Sequence, residues 1–178
     1  LSFDVELEGS PLQGGEARTL SEASFSDGTL TLNFSEPVTT LTAGTPYIIK
    51  WNATDYADLV ISSAEDWNNF ATAVNNGNTY SGKTVLLTND IDVETMVGTN
   101  GNRFKGTFDG YGHTLTFNKE TSEKYCAPFH YVEDATIMNL HTIGSITTSE
   151  MHSAGLVGHT KSNTTISNCW SSVSISSS

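Results

Sequence analysis

The sequence predicts an all-β fold: a short right-handed parallel β-helix with one N-terminal capping α-helix, preceded by a small antiparallel β-module. Three observations carry this. Apolar and polar residues alternate with period two in the first fifty residues. One stretch, 63–77, has helical periodicity instead. From residue 83 onward, short strand-like segments rich in Ile, Val and Thr recur at near-constant spacing, joined by Gly, Asn and Ser. The division expected is 1–58 for the module and linker, and 59–178 for the helix and repeats.

In the module, Phe3, Val5 and Leu7 alternate with Asp4, Glu6 and Glu8, and Leu30, Leu32 and Phe34 alternate with Thr29, Thr31 and Asn33. One apolar face per strand implies half-buried antiparallel pairs. Asp27-Gly28 is a turn signal ahead of the second run. The apolar run from Tyr47 to Trp51 follows Gly44-Thr45-Pro46, and 52–58 reads as a linker. The opening residues LSFDVELEGS have neither the basic start nor the apolar core of a signal peptide. They read as a strand entered part-way, so the chain is expected to be a fragment of something larger.

Leu59-Val60-Ile61 is expected to be a strand, and the helix follows. Ser63 is a suitable N-cap, with Asp66 three residues on as an approximate capping box. Trp67, Phe70, Ala71 and Val74 fall at i, i+3, i+4 and i+7, one apolar face. Gly77 is placed to close the helix in the left-handed conformation. That face is expected to cover the N-terminal end of the repeats, since terminal units of a solenoid differ from the rest.

The stretch 103–118, RFKGTFDGYGHTLTFN, reads as one rung: Phe104, Phe108, Leu115 and Phe117 point inward and Asp109-Gly110-Tyr111-Gly112 makes two successive tight turns. Two later segments superpose at a spacing of 29, Ile137 on Ile166, Asn139 on Asn168, Leu140 on Cys169 and Ile146 on Ile175. Just before them, Ala127-Pro128-Phe129 aligns with Ala154-Gly155-Leu156 at a spacing of 27, so two extra residues are expected in the loop 160–163. A unit this short cannot bury its apolar side alone and must stack on a neighbour. Asn139 and Asn168 then occupy equivalent corners, where Asn tolerates positive φ and stacked amides can hydrogen-bond. Val173-Ser174-Ile175 looks like a rung in progress, so further chain or another molecule is expected to cover that edge.

These residues resemble a known family. Gly155-Leu156-Val157-Gly158, followed by Thr165-Ile166-Ser167-Asn168-Cys169, is similar to the GLUG motif of bacterial surface proteins, and 104–115 looks like the rung that commonly precedes it. Residues 18–51 are similar, more loosely, to β-modules of large secreted proteins of Bacteroidetes. The first copy departs from the pattern, with Pro128-Phe129-His130-Tyr131 in place of the glycine-bracketed motif. The resemblance implies a secreted or cell-surface, adhesin-like role in a bacterium, with further domains of the same polypeptide. It transfers no catalytic residue.

Charge narrows the partners. Eight Lys and Arg against twenty Asp and Glu give a net charge of −12, which disfavours nucleic acid, anionic membranes and polyanionic sugars. There is no apolar run long enough for a membrane-spanning helix. Cys126 and Cys169 fit no metal spacing and read as two free thiols, one of them buried. Glycans, or host or bacterial surface proteins, remain as partners. Sugar binding needs aromatic faces beside hydrogen-bonding groups, and Tyr111, Tyr125, Tyr131 and Trp170 are the candidates near turns. No cofactor is expected beyond Ca²⁺, for which Asp90 and Asp92 are the candidate ligands, having hard oxygens but no known loop pattern. His141, His152 and His159 match no ligand spacing.

The function expected is therefore non-enzymatic binding through the outer face of the repeats. A carbohydrate-active β-helix enzyme is the alternative, with Asp90, Asp92, Glu94 and Asp109 as its carboxylates; a structural stalk is another. No constellation of acid, base and nucleophile stands out.

Overall fold

A computed structural model describes residues 2–4, 15–51 and 56–177. The chain divides into two compact units, Leu1–Tyr56 and Ala57–Ser178. The described residues are mostly β, with one helix among them.

The first unit holds β1 (Ser2–Asp4), β2 (Gly15–Arg18), β3 (Leu20–Ser26), β4 (Thr29–Phe34), β5 (Thr40–Thr42) and β6 (Ile48–Trp51). They pair antiparallel as β1 with β5, β2 with β6 and β3 with β4. Of the alternation at 3–8, only β1 lies within the described residues. The β3–β4 hairpin closes at Asp27-Gly28, both at positive φ, as a two-residue turn between right-twisted strands requires. Its apolar face is not half-buried as the alternation implies. Ala23 opposes Leu32 and Phe25 opposes Leu30, and a bulge between Leu20 and Glu22 brings Leu20 opposite Phe34. Phe25 is nonetheless 73% exposed and Leu30 61%. Alternation fixes which side chains share a face; only a second layer can bury that face, and a two-stranded ribbon has none.

The second unit begins with β7 (Leu59–Ile61) and α1 (Ala64–Asn75). Ser63 accepts from Asp66 N, as an N-cap should. The Asp66 carboxylate reaches back to Ser62 N and to both serine hydroxyls, one residue earlier than in a standard capping box. At the other end Gly77, φ +106, donates to Val74 O while Asn78 donates to Ala73 O. That pair of bonds is a Schellman closure.

Next come β8 (Thr84–Leu87), β9 (Ile91–Val93), β10 (Thr107–Asp109), β11 (Thr114–Glu120), β12 (Phe129–Glu133), β13 (Thr136–Met138), β14 (His141–Thr147), β15 (Val157–Lys161), β16 (Thr165–Ser167) and β17 (Trp170–Ser176). They form three parallel sheets. The first has the order β7-β8-β10-β13-β16 and the second β9-β11-β14-β17. The third pairs β12 with β15, extended by single bridges from Val97 to Phe129 and from Phe104 to Val132. From β8 onward the chain visits the sheets in rotation, and each such pass is called a rung below.

The inward side chains of all three sheets and of α1 share one apolar core. Trp67, Phe70, Phe104, Phe108, Phe117 and Phe129 are its largest fully buried members, and all but Phe117 make edge-on or tilted ring contacts with one another. Phe104, Phe108, Leu115 and Phe117 point inward, so 103–118 is a rung as the sequence implies.

Ile137 pairs with Ile166 and Ile146 with Ile175, the alignment expected at spacing 29. The third sheet differs: Phe129 pairs with Val157, not Leu156, so the spacing there is 28. One residue is then added, not two, between the pairs Glu133–Lys161 and Thr136–Thr165. The corner after β10 also holds one tight turn rather than two. His113 N donates to Gly110 O, with Tyr111 and Gly112 both at positive φ. Ile166 and Ile175, on the outermost strands, are about half exposed.

Candidate functional site: a cationic and aromatic face on the third sheet

The corner between the first and second sheets is structural. Asp109 Oδ1 accepts from Tyr111 N and from Asn139 Nδ2, both at 2.9 Å. Asn168 Nδ2 then donates to Asn139 Oδ1 at 2.7 Å. Asn139 and Asn168 both have positive φ, so the amide ladder expected from the repeat is present, headed by a buried carboxylate. Tyr111 stands exposed on the turn that caps this corner.

The outer side of the second sheet carries Asp90, Asp92 and Trp170. Asp90 Oδ1 accepts from Thr114 N at 2.8 Å and lies 3.2 Å from His113 Nδ1. Those two hydrogen bonds hold its carboxyl below the usual carboxylate range. Asp92 is exposed on β9. No group of three or more His, Cys, Asp or Glu side chains placed to hold a metal ion occurs among the described residues. Trp170 is half exposed and packs on His141, its register partner, with ring centroids 4.6 Å apart. Cys126 is buried and Cys169 half-buried, both as free thiols, and burial raises each thiol's pKa.

The third sheet brings chemistry together. Its pairing sets side chains into columns 28 residues apart. The bridge from Phe104 to Val132 places Arg103 beside Tyr131, and Tyr131 pairs with His159. The same register aligns Lys105, Glu133 and Lys161, whose Glu133 carboxylate is bridged by Lys105 at 3.0 Å and Lys161 at 3.2 Å. Residues 103 and 105 flank the inward Phe104, so both columns face outward.

Arg103 is 9% exposed. Its guanidinium lies 5.1 Å from the Tyr131 ring centroid, a cation–π contact. It reaches past that ring to His159 Nδ1 at 3.1 Å and to Asn100 Oδ1 at 2.8 Å. Arg103 can only donate, so His159 Nδ1 is the acceptor in this contact. Tyr125 packs on Tyr131 at 5.6 Å, on His159 at 5.0 Å, and face to face on His152 at 5.3 Å. His130 tilts against Tyr131 and its Nε2 bonds Lys124 O.

Beside this cluster lies a cleft of about 500 Å³, whose lining includes Asn75, Asn100, Lys119, Glu123, His130 and Tyr131. Asn75, the last residue of α1, shapes its wall: it accepts from Gly98 N, donates to Met96 O, and receives Asn102 Nδ2 at its carbonyl. The cleft thus combines an aromatic wall with amide, carboxylate and ammonium groups, the composition of a polar small-molecule site.

Of the sequence candidates, Tyr125 and Tyr131 meet here, while Tyr111 and Trp170 lie on other faces. Arg103, Lys119, His130 and Asn75 were not singled out from sequence. A signal existed in the even spacing of 103, 131 and 159, but three unlike residue types hide it.

The carboxylates give a pH prediction. Hydrogen bonds from Lys83 and Thr84 lower the pKa of Asp58, those from the two serines lower Asp66, those from Thr114 and His113 lower Asp90, and those from Lys105 and Lys161 lower Glu133. A depressed folded-state pKa contributes stability above the unfolded value, and that stability is lost as pH falls through the folded value. Tm measured against pH is therefore expected to be level down to about pH 5 and to fall below it.

No protein-family model, curated protein or solved structure matches this chain.

Proposed function

We propose that this chain is a non-enzymatic, adhesin-like binding segment of a secreted or cell-surface bacterial protein, and that it binds glycans in the cleft on the third sheet. Its second unit is, on this reading, a right-handed parallel β-helix capped by α1. The rotation of the chain through three parallel sheets supports that architecture, as does the GLUG-like sequence at 155–158. The observation that carries the function is the meeting of Tyr125 and Tyr131 beside a cleft lined with amide and charged side chains. Sugars present C–H faces to aromatic rings and hydroxyls to amides, and this wall offers both. The bonding of Asp90 and Asp109 supports a structural reading of those carboxylates over an acid–base one.

A glycan array probed with the chain, with and without Ca²⁺, tests this. Binding is expected, and Tyr131→Ala is expected to weaken it by about tenfold or more, the loss typical of a central aromatic. Tyr111→Ala, on the far corner, should leave it unchanged. Array silence in both conditions would move the assignment to a stalk, and binding only with Ca²⁺ would direct attention to Asp90 and Asp92.

A further inference from the structure

We infer that the free edge of β16 and β17 is a docking surface for one further strand–corner–strand segment, added in parallel and carrying an asparagine at its corner. The occupant is a repeat segment of this same type from outside residues 1–178. The inference stands apart from the cleft and from the glycan reading.

The edge is built to accept a strand. β16 and β17 are the last strands of their sheets and pair on one side only. Trp170 N donates to Leu140 O and Ser176 O accepts from Thr148 N, so the even-numbered residues of β17 turn their backbone groups to β14. Those of Ser171, Val173 and Ile175 face the open side, as alternate residues of an edge strand do. Val173 N reaches only the Ser171 hydroxyl there, at 3.5 Å. Ile166 and Ile175 continue the buried columns through Ile137 and Ile146, yet stand 47% and 50% exposed. Native edges are usually blunted by charge or proline. Residues 162–177 contain no Lys, Arg, His, Asp, Glu or Pro, on a chain of net charge −12.

The amide ladder specifies which strand fits. Asp109 Oδ1 accepts from Tyr111 N as well as from Asn139 Nδ2, so it is the acceptor in both contacts. With its nitrogen turned to Asp109, Asn139 offers Oδ1 to the next corner, and Asn168 must donate to it. Asn168 then directs its own Oδ1 toward the free edge. The carboxylate at the head thus sets the direction of the whole ladder. A further segment completes it only with a side chain that donates at that point. Asparagine donates; an ionised aspartate cannot. Asparagine also tolerates the positive φ found at both existing corners. Flanking strands in parallel register would extend both sheets by the pairing already used between β13 and β16 and between β14 and β17. A second copy of this chain fits less well. Its own edge ends in the same Asn168 oxygen, and its Asn139 is engaged on both sides.

The probe is a synthetic peptide copying Thr136–Thr147, TIMNLHTIGSIT, which carries Asn139 at its corner and no cysteine. Added to the full chain, it is expected to bind saturably by calorimetry and to slow amide hydrogen exchange at Val173 and Ile175. The peptide with Asn139→Asp is expected to bind at least about tenfold more weakly, because an acceptor then faces an acceptor. The peptide with Asn139→Ala should fall between. Ile175→Lys in the chain places a charge on the edge and is expected to abolish binding; circular dichroism checks that it folds. No binding at millimolar peptide would overturn the proposal. Equal affinity for the Asn and Asp peptides would overturn it too, by removing the corner as the determinant. A dimer of the chain in sedimentation, dispersed by Ile175→Lys, would assign the edge to a second copy and overturn the occupant proposed.

Discussion

Replacing Trp67 with alanine is expected to cost about 3–5 kcal/mol, the range for removing a large buried aromatic. That is a large share of the ~5–15 kcal/mol that holds an ordinary domain together. The magnitude follows from position. Trp67 is fully buried, its ring lies within 6 Å of the rings of Phe70, Phe108 and Phe129, and its Nε1 donates to Thr95 O at 2.8 Å. The substitution opens a cavity where α1 meets the first and third sheets, and strips a carbonyl of its donor. Trp67→Phe restores most of the packing but not the hydrogen bond, so it should cost far less, about 1–2 kcal/mol. Urea unfolding followed by far-UV circular dichroism reads both. A Trp67→Ala midpoint within error of the parent would show that the helix face is not part of this core.

Gly158→Ala is the second large effect. The added methyl would collide with the carbonyl oxygen of Tyr125, a backbone atom that cannot rotate away. Gly155, at the other end of the Gly-Leu-Val-Gly sequence, faces the hydroxyl of Ser171, which can turn aside. Overpacking against fixed backbone is expected to cost about 2–3 kcal/mol at Gly158, and clearly less at Gly155. The two should also differ in binding. Displacing Tyr125 disturbs its contacts with Tyr131, His152 and His159, so on the glycan-binding proposal Gly158→Ala should weaken that binding even where the protein remains folded. Equal losses at both glycines would rule out the Tyr125 carbonyl as the cause.

Those glycines also mark what the sequence makes legible. The helix and both caps are readable because their signals are local: a serine, a four-residue apolar spacing, a glycine past the end. The corner ladder is readable because Asn recurs at spacing 29, each time with Ile two residues before it and Leu or Cys directly after. The third sheet is misaligned by one for a physical reason. Leu156 and Val157 are adjacent and both apolar, so composition offers two registers for Phe129. A shift of one residue in a strand exchanges its faces, and the packing of Val97, Phe129 and Val157 selects the second. With the wrong register, the outward columns at 103, 131, 159 and at 105, 133, 161 cannot be assembled on paper. The hairpin fails differently: its alternation is right, and its exposure depends on layers the strands do not contain.

The pairing distances of the second unit set how it can be built. Thr84 pairs with Thr107, Thr107 with Thr136 and Thr136 with Thr165, and among the described residues of this unit no pair of named strands is more than 29 residues apart, with the single bridge from Val97 to Phe129 only slightly longer. Loop closure is therefore short and nearly equal at every step, in contrast to sheets whose first and last strands must find each other. The helix whose apolar face joins the core also precedes the parallel strands at 84 onward in the chain. A nascent polypeptide can thus form the helix first and add each parallel strand beside one already made, without waiting for its C-terminal residues. Synthesis and assembly run in the same direction.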